Sequence, residues 1–182
     1  MSKVILLSGS PNENGNTVQL LKECAGVIEK NGVEAEVVSL AGMHLRDVMD
    51  LQEGCEDGFD EIISKIKEAQ GFIAGGPVYW GTVRAELMTA LQRIAMASMQ
   101  QGNFLSRKAG GPIAVARRGG VTSAIQEMMM FFLSNDMIVP GSTYWNIAFG
   151  QKPGDVINDA EGLETIKRFG ENMAFVVEAI NG

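Results

Sequence analysis

The sequence predicts an α/β fold with a doubly wound, five-stranded parallel sheet in strand order 2-1-3-4-5 and helices on both faces. Short apolar runs alternate five times with segments whose apolar residues recur every three or four positions. These runs lack a regular polar side, as expected of parallel strands that are buried on both faces. Right-handed crossovers then leave few topologies. No repeat or low-complexity linker intervenes, so residues 1–182 are expected to form a single domain.

The first half of the chain predicts three pairs of strand and helix. Apolar runs predict strands at residues 4–7, 34–40 and 71–76, the third of which is closed by Pro77. Helical spacing predicts helices at residues 17–28, 59–69 and 82–98. Thr82 is expected to open the third helix, with Glu86 near the positive end of its dipole. Residues 41–58 show neither period and are expected to be irregular.

The second half predicts two further pairs and two long loops. Strands are expected at residues 112–116 and 137–145, and helices at residues 121–133 and 160–180. The loops at residues 99–111 and 149–159 are longer than most connections. They are therefore candidates for lids or subunit contacts.

The composition argues against several classes of partner. Lysine and arginine total 15 against 22 aspartates and glutamates, which gives a formal net charge of -7. A surface of this sign repels nucleic acid and anionic membranes. Residues 1–8 hold one basic residue followed by four apolar ones, too few for a signal peptide or a membrane span. We therefore expect a cytoplasmic protein with no nucleic-acid or membrane partner.

Cysteine and histidine, which often carry metal or nucleophilic chemistry, are scarce. Cys24 and Cys55 are the only cysteines, and they are far apart and in no C-x-x-C arrangement. Both are expected to be reduced thiols, and no metal site is predicted. His44 is the only histidine and has no nucleophile motif nearby, so no catalytic side chain is assigned.

The loop after the first strand has the composition of a phosphate-binding loop. In a doubly wound sheet the ligand lies outside the carboxyl ends of the strands, which places residues 8–17 (SGSPNENGNT) at the site. Backbone N–H groups at the start of the next helix can hold one phosphate monoester. Hydroxyl or amide donors are available from Ser10, Asn12, Asn16 and Thr17. The alternative is an ordinary turn and helix cap, which use the same residue types.

Two nucleotide-binding motifs are absent from this loop. A triphosphate P-loop ending at Gly15 would need glycine in place of Ser10 and lysine in place of Asn16. The dinucleotide fingerprint is absent because serine and proline follow Gly9, where a spaced second glycine is required. ATP or GTP hydrolysis and a Rossmann NAD site are therefore both disfavoured.

Two large aromatic residues follow the third strand. Tyr79 and Trp80 lie in the segment Pro77-Val78-Tyr79-Trp80-Gly81-Thr82, where a strand is expected to turn into a helix. A flat ligand ring bordered by Tyr79 or Trp80 would explain them, because Gly81 lets the backbone approach the ring edge. The alternative is aromatic packing in the core or at an interface.

The loop after the fourth strand brings two arginines to the same edge of the sheet. Its sequence is Arg117-Arg118-Gly119-Gly120. The guanidinium groups could stabilise charge on a reduced ring or meet the phosphate of an incoming nucleotide. The alternative is a solvated or intersubunit salt bridge.

Two motifs together give the chain a resemblance to a known family. One is Ile5-Leu6-Leu7-Ser8-Gly9-Ser10-Pro11 continuing to Gly15-Asn16-Thr17, and the other is Gly75-Gly76-Pro77-Val78-Tyr79-Trp80-Gly81 continuing to Ala85-Glu86-Leu87. The chain resembles the NADPH-dependent FMN reductases and their relatives, the iron-sulfur flavoproteins and NAD(P)H quinone reductases of the flavodoxin-like fold. The resemblance runs from Lys3 to about Ile94 and more loosely to the end.

The resemblance implies FMN as cofactor and NAD(P)H as cosubstrate, with electrons passed to a small acceptor. Contacts to the phosphate end of FMN would come from Ser8, Ser10, Asn12, Asn16 and Thr17. The ribityl chain and isoalloxazine would be lined by Pro77, Val78, Tyr79, Trp80, Gly81 and Thr82. The far side would be closed by Arg117, Arg118, Gly119 and Gly120. The family is usually dimeric or tetrameric, which implies a homodimer or homotetramer.

Three departures from the family bear on these expectations. Iron-sulfur members carry clustered cysteines between the second strand and second helix, where this chain has only Cys55. One thiolate cannot hold a cluster that takes four. Glu13 brings a carboxylate into the phosphate loop, where we expect it to face water. Arg117 and Arg118 lie in a loop that is often glycine-rich in relatives. The way in which relatives admit the nicotinamide therefore cannot be assigned to this chain.

Two alternatives to a flavin reductase stay open. One is a flavodoxin-like electron carrier that docks to a redox partner through its acidic surface without using NAD(P)H. The other is a non-catalytic module that binds a different monophosphate. Slow NAD(P)H oxidation would favour the carrier, and a colourless purified protein would favour the module.

One apolar run predicts self-association. Met128-Met129-Met130-Phe131-Phe132 places five apolar residues in succession on a predicted helix. A one-sided helix cannot bury all of them, so part of this helix is expected to face another subunit. We therefore expect at least a homodimer.

Overall fold

A parallel sheet built on both sides of the first strand organises the structure. The computed structural model describes residues 2–50 and 57–181. Its strands are β1 (Lys3–Ser8), β2 (Glu34–Ser39), β3 (Gly71–Tyr79), β4 (Thr82–Val83), β5 (Ala109–Ala116) and β6 (Ile147–Phe149). Five strands pair in parallel in the order β2-β1-β3-β5-β6, and β4 pairs antiparallel with β3. With the two-residue β4 set aside, the order is the predicted 2-1-3-4-5, and the predicted fold class is confirmed.

Five α-helices connect and cover the strands. They are α1 (Asn16–Lys30), α2 (Phe59–Glu68), α3 (Ala85–Gln100), α4 (Val121–Ser134) and α5 (Ala160–Asn181). Short 3₁₀ helices occupy Val48–Asp50 and Asp155–Asn158. In the part of the chain that the structure describes, no helix is both long and apolar enough to cross a membrane.

Alternate residues of β1 are buried on opposite faces of the sheet. Val4 and Leu6 pack with side chains of α1 and α5, whereas Ile5 and Leu7 pack with side chains of α2, α3 and α4. All four are completely buried. Because successive side chains of a strand point to opposite sides, an entirely apolar strand requires a helix layer on each face.

The segment after the third strand forms a β-hairpin instead of leading directly into a helix. β3 continues past Pro77, and Tyr79 pairs with Thr82 across a two-residue turn. Trp80 and Gly81 in that turn have φ of 54° and 88°, the positive values that a type I′ hairpin turn requires. The prediction that Thr82 opens the third helix is therefore wrong, because Thr82 lies in β4 and α3 begins at Ala85.

The last strand was predicted too early in the chain. Only Ile138 of residues 137–145 makes a bridge to the sheet, with Ala109. The chain then leaves the sheet at Pro140 and Gly141, which favour turns, and returns at β6. Asn146 anchors the return, since its side-chain amide donates to the Pro112 carbonyl at 3.2 Å.

Candidate functional site

The carboxyl ends of the central strands surround a cleft of about 370 Å³, within the usual size range of ligand sites. Eight of the predicted site residues line it: Ser10, Asn12, Asn16, Thr17, Pro77, Val78, Tyr79 and Arg117. Seven others lie in the same loops but outside the lining: Ser8, Trp80, Gly81, Thr82, Arg118, Gly119 and Gly120. The cleft is also lined by six residues that were not named as predicted site residues: Gly15, Val115, Ala116, Gly150, Gln151 and Pro153.

Short polar side chains fold the loop between β1 and α1 onto itself. The Ser10 hydroxyl accepts from the Asn12 N–H and donates to the Asn12 carbonyl, both at 3.1 Å. The Ser8 hydroxyl accepts from the Ser10 N–H at 3.3 Å, and the Asn12 side-chain oxygen accepts from the Asn14 N–H at 2.9 Å. The hydroxyls of Ser8 and Ser10 therefore shape the loop, because their hydrogen bonds are made within it.

The start of α1 presents hydrogen-bond donors for which the described part of the chain supplies no acceptor. Gly15 caps the helix without a side-chain hydrogen bond, and the first turn contains no acidic residue. Among the described residues, the N–H groups of Asn16, Thr17 and Val18 have no acceptor, and the Thr17 hydroxyl makes no hydrogen bond. Unpaired N–H groups at the positive end of a helix dipole form an anion site, which suits one phosphate group.

The side chain of Asn16 makes its hydrogen bonds with the loop after β6. Its Nδ2 donates to the Lys152 carbonyl at 2.9 Å, and its Oδ1 accepts from the N–H groups of Gly154 at 3.0 Å and Val156 at 3.3 Å. Asn16 therefore ties the loop after β1 to the loop after β6. These contacts were not predicted, because nothing in the sequence relates residues so far apart.

The hairpin forms the opposite wall of the cleft and is held by α4. The Glu127 carboxylate accepts from the Thr82 hydroxyl at 2.5 Å and from the Val83 N–H at 3.3 Å. A Cβ on Gly120 would lie 2.9 Å from the Cα of Gly81, so the loop after β5 can approach this hairpin only as glycine. Trp80, at the tip, is completely exposed.

Arg84 is a structural residue of the site that sequence reasoning missed. Its Nη1 donates to the Gly9 carbonyl at 3.1 Å, and its Nη2 pairs with Glu86 at 2.9 Å. Gly9 also donates to the Gly75 carbonyl at 2.8 Å, so the loop after β1 is attached to both β3 and α3. Arginine is a poor helix cap, and its position just before α3 was the available signal.

The rim of the cleft is basic although the chain as a whole is acidic. Arg117 lines the cleft, Arg118 follows it, and Lys152 lies between two lining residues of the opposite loop. All three are exposed, and none forms an ion pair with a residue in the described ranges 2–50 and 57–181. Such a rim attracts anionic ligands.

The cysteines and the histidine lie apart from the cleft or outside the described structure. Cys24 is buried in α1, and burial raises the pKa of its thiol to about 12. Cys55 lies outside the described residues. His44 is exposed and does not line the cleft. No group of three metal-binding side chains occurs within the portion of the chain that the structure covers.

The comparisons with known proteins identify a family of flavoproteins. The model of the NADPH-dependent FMN reductase family matches residues 2–152. An iron-sulfur flavoprotein of Methanocaldococcus jannaschii is 39% identical over 98% of this chain and 98% of its own length. The solved structure of RosB with bound 8-demethyl-8-formylriboflavin-5'-phosphate has a TM-score of 0.78 at 16% identity, covering 100% of this chain and 81% of RosB.

A second solved structure, a flavodoxin from the domain Archaea, has a TM-score of 0.67 at 19% identity and covers 97% of this chain and 99% of its own. These structural likenesses support the flavodoxin-like fold. The family match is independent of them and spans the loop after β1, the hairpin and the arginine loop. The chain is therefore a flavin-binding oxidoreductase that belongs to the NADPH-dependent FMN reductase family.

Proposed function

We propose that residues 1–182 form one FMN-binding domain that uses NAD(P)H to reduce a small acceptor. The observation that carries this proposal is the uncapped start of α1 on one side of a cleft whose opposite wall is an aromatic hairpin. FMN would supply the redox chemistry, since its ring takes hydride from a nicotinamide and passes electrons on. We also place the protein in the cytoplasm, where a free thiol such as Cys24 is normal.

The phosphate of FMN would bind at the start of α1. The Thr17 hydroxyl and the N–H groups of residues 16–18 could all donate to one anion. The Asn12 side-chain amide would add a donor at the cleft edge. Charge-assisted hydrogen bonds of this kind are about twice as strong as neutral ones. Glu13 is exposed and outside the cleft lining, so its carboxylate faces water.

The ring of FMN would lie between the hairpin and the loop after β5. Tyr79 lines the cleft and is 47% exposed, which leaves an aromatic face available for a flat ligand. The positive φ of Trp80 is unusual for a bulky residue and holds its side chain at the hairpin tip. Protein groups here would orient the ring and exclude water.

The basic rim supports a reductase over an electron carrier. An electron carrier that docks through an acidic surface would have acidic groups around its exposed ring. Here Arg117 lines the cleft, Arg118 and Lys152 are sequence neighbours of lining residues, and each could pair with the phosphates of NAD(P)H. This arrangement favours an anionic nucleotide as the electron donor.

The cluster named in the iron-sulfur relatives does not fit this chain. A cluster held by cysteine takes four thiolates, whereas the sequence contains two cysteines. Cys24 is buried and has a raised pKa, so it does not supply a thiolate at neutral pH. We therefore propose a function that uses FMN without a cluster.

Anaerobic absorbance spectroscopy tests the proposal. The FMN-saturated protein is expected to bleach at the flavin bands on addition of NADPH or NADH. Arg118→Ser should raise the nucleotide concentration for half-maximal rate about two- to fivefold, the range for an exposed charge contact. Arg168→Ser removes an exposed arginine of α5 and is the matched control. Bound flavin that neither nucleotide reduces would indicate the carrier, and failure to bind FMN would refute the proposal.

We also propose that the protein is at least a homodimer, formed through α3 and α4. A groove of about 600 Å³ lies between these helices and is lined by Met88, Met130 and Leu133. Met128, Phe131 and Phe132 are buried in the core, whereas Met130 and Leu133 are each 57% exposed. Flexible apolar side chains at such a groove are typical of contact surfaces.

Light scattering over a concentration series is expected to give at least twice the monomer mass of 19.6 kDa. The Met130→Glu variant should shift the mass toward the monomer, because it places a carboxylate in the groove. Phe175→Glu, at an exposed apolar position on α5, is the matched control and should leave the mass unchanged. A monomer mass for the wild type at every concentration would contradict the dimer.

A further inference from the structure

We infer that the side chain of Asn16 is a positioning group that acts on the cleft through the loop after β6. The inference deepens the proposed function, since it rests on FMN binding in this cleft. It differs from the role that resemblance to the family implies for this side chain. It concerns Asn16 and residues 150–156, which we call the wall loop.

Most of the Asn16 amide is used by the wall loop. One N–H of Nδ2 donates to the Lys152 carbonyl, and Oδ1 accepts from the N–H groups of Gly154 and Val156. Turning this side chain away from the wall loop toward the phosphate would break these bonds and leave two backbone N–H groups without acceptors. Val156 is completely buried, so its N–H would not readily find water instead.

The wall loop is built around this contact. A Cβ on Gly150 would lie 2.7 Å from the Asn16 Nδ2, so only glycine allows the loop to pass here. The Asp155 carboxylate accepts from the N–H groups of Gln151 at 3.1 Å and Lys152 at 2.7 Å. The loop is therefore internally ordered. Its hydrogen bonds to α1 come from the Asn16 side chain, and Val156 adds apolar packing in the cluster that contains residues of α1.

Asn16 contributes to the cleft through both its backbone and its side chain. Its backbone N–H belongs to the anion site at the start of α1, whereas its side chain holds the loop that supplies Gly150, Gln151 and Pro153 to the cleft lining. The same position of Asn16 therefore favours both an anion bound at the N–H groups of α1 and an ordered wall loop. Binding of the cofactor phosphate and closure of the wall are coupled through this residue.

Amide hydrogen exchange at Gly154 and Val156 tests the anchor in the FMN-free protein. Asn16→Ala is expected to speed exchange at both amides about tenfold, because each loses its acceptor. Asn14→Ala is the matched control, since the Asn14 side chain is exposed and has no hydrogen bond within the described structure. Unchanged exchange in Asn16→Ala would overturn the anchor whether or not the protein binds FMN.

The same amides test the coupling in the wild type when FMN is added. A positioning role predicts slower exchange at Gly154 and Val156 in the FMN-bound protein. If the Asn16 side chain instead turned to the phosphate, these amides would lose their acceptor and exchange faster. Either faster or unchanged exchange on FMN binding would overturn the coupling. Flavin fluorescence reports FMN binding separately, so failure of the proposed function is distinguished from failure of this inference.

Discussion

Replacing Asp57 with alanine is expected to lower the free energy of unfolding by about 3–5 kcal/mol, the cost of leaving a buried charge without its partner. Both terminal nitrogens of Arg93 donate to the Asp57 carboxylate, one of them at 3.2 Å. The Arg93 side chain is only 3% exposed, and it stacks 4.8 Å from the ring of Phe59. Without Asp57 the guanidinium stays buried, and among the described residues its remaining ion-pair partner is the exposed Asp60 carboxylate, 3.9 Å away.

Asp57 also organises the backbone around it. Its carboxylate accepts from the N–H groups of Phe59 at 3.2 Å and Arg46 at 3.3 Å. It therefore joins the segment after β2, the start of α2 and the middle of α3. Loss of the side chain removes all of these contacts at once, which explains why the expected effect exceeds that of a surface ion pair.

Urea unfolding at neutral pH measures the cost, and a double variant identifies its origin. Asp57→Ala combined with Arg93→Met should be more stable than Asp57→Ala alone, because the unpaired buried charge is then removed as well. If Asp57→Ala destabilised the protein only by disrupting α2, the double variant would be at least as unstable as Asp57→Ala. A loss below about 1 kcal/mol in Asp57→Ala would show that the pair contributes no more than a surface salt bridge.

The contribution of Asp57 depends on pH in a defined direction. Burial raises the pKa of its carboxyl, but the hydrogen bonds from Arg93, Phe59 and Arg46 lower it by more, and the net pKa lies below its ordinary value. The stabilisation is therefore present above the unfolded pKa of about 3.9 and is lost as pH falls through the folded pKa. Asp57→Asn should lack this part of the acid destabilisation when unfolding is followed downward from about pH 5.

The fold was predictable because its strongest signals are local. Periodicity distinguishes the apolar strands from the amphipathic helices, and α2 and α4 begin at the predicted residues, Phe59 and Val121. The hairpin was not predictable, because Trp80 is a poor choice for a turn that favours asparagine or aspartate before glycine. The late β6 was also missed, since Ile138 and Val139 carry a strand composition but only one of them pairs.

The incorrect position predicted for the last strand also explains why the lining residues of the loop after β6 were not predicted. The ligand rule points to the residue after each strand, and a strand ending at Phe149 would have indicated Gly150 and the loop that follows it. The contacts of Asn16 with the wall loop were not predictable for a different reason. Its side chain bonds to Lys152, Gly154 and Val156, and such long-range contacts leave no mark on the spacing of nearby residues.

Thr17→Val is expected to weaken FMN binding about 10- to 100-fold and to leave riboflavin binding unchanged. Threonine and valine have nearly the same shape, and Thr17 is 2% exposed, so the substitution removes a hydroxyl with little change in packing. A hydrogen bond to a charged group contributes about 1.5–3 kcal/mol, which corresponds to this change in Kd. Riboflavin lacks the phosphate that the hydroxyl would meet.

Titration of flavin fluorescence measures both ligands in both proteins. Thr17→Ser keeps the hydroxyl and should retain most of the FMN affinity. Equal losses for FMN and riboflavin in Thr17→Val would mean that Thr17 acts through packing of α1. Unchanged binding of both ligands would place the phosphate elsewhere. Only a loss confined to FMN shows that the donors at the start of α1 select a flavin with a phosphate, and this selection is what the unsatisfied helix terminus predicts.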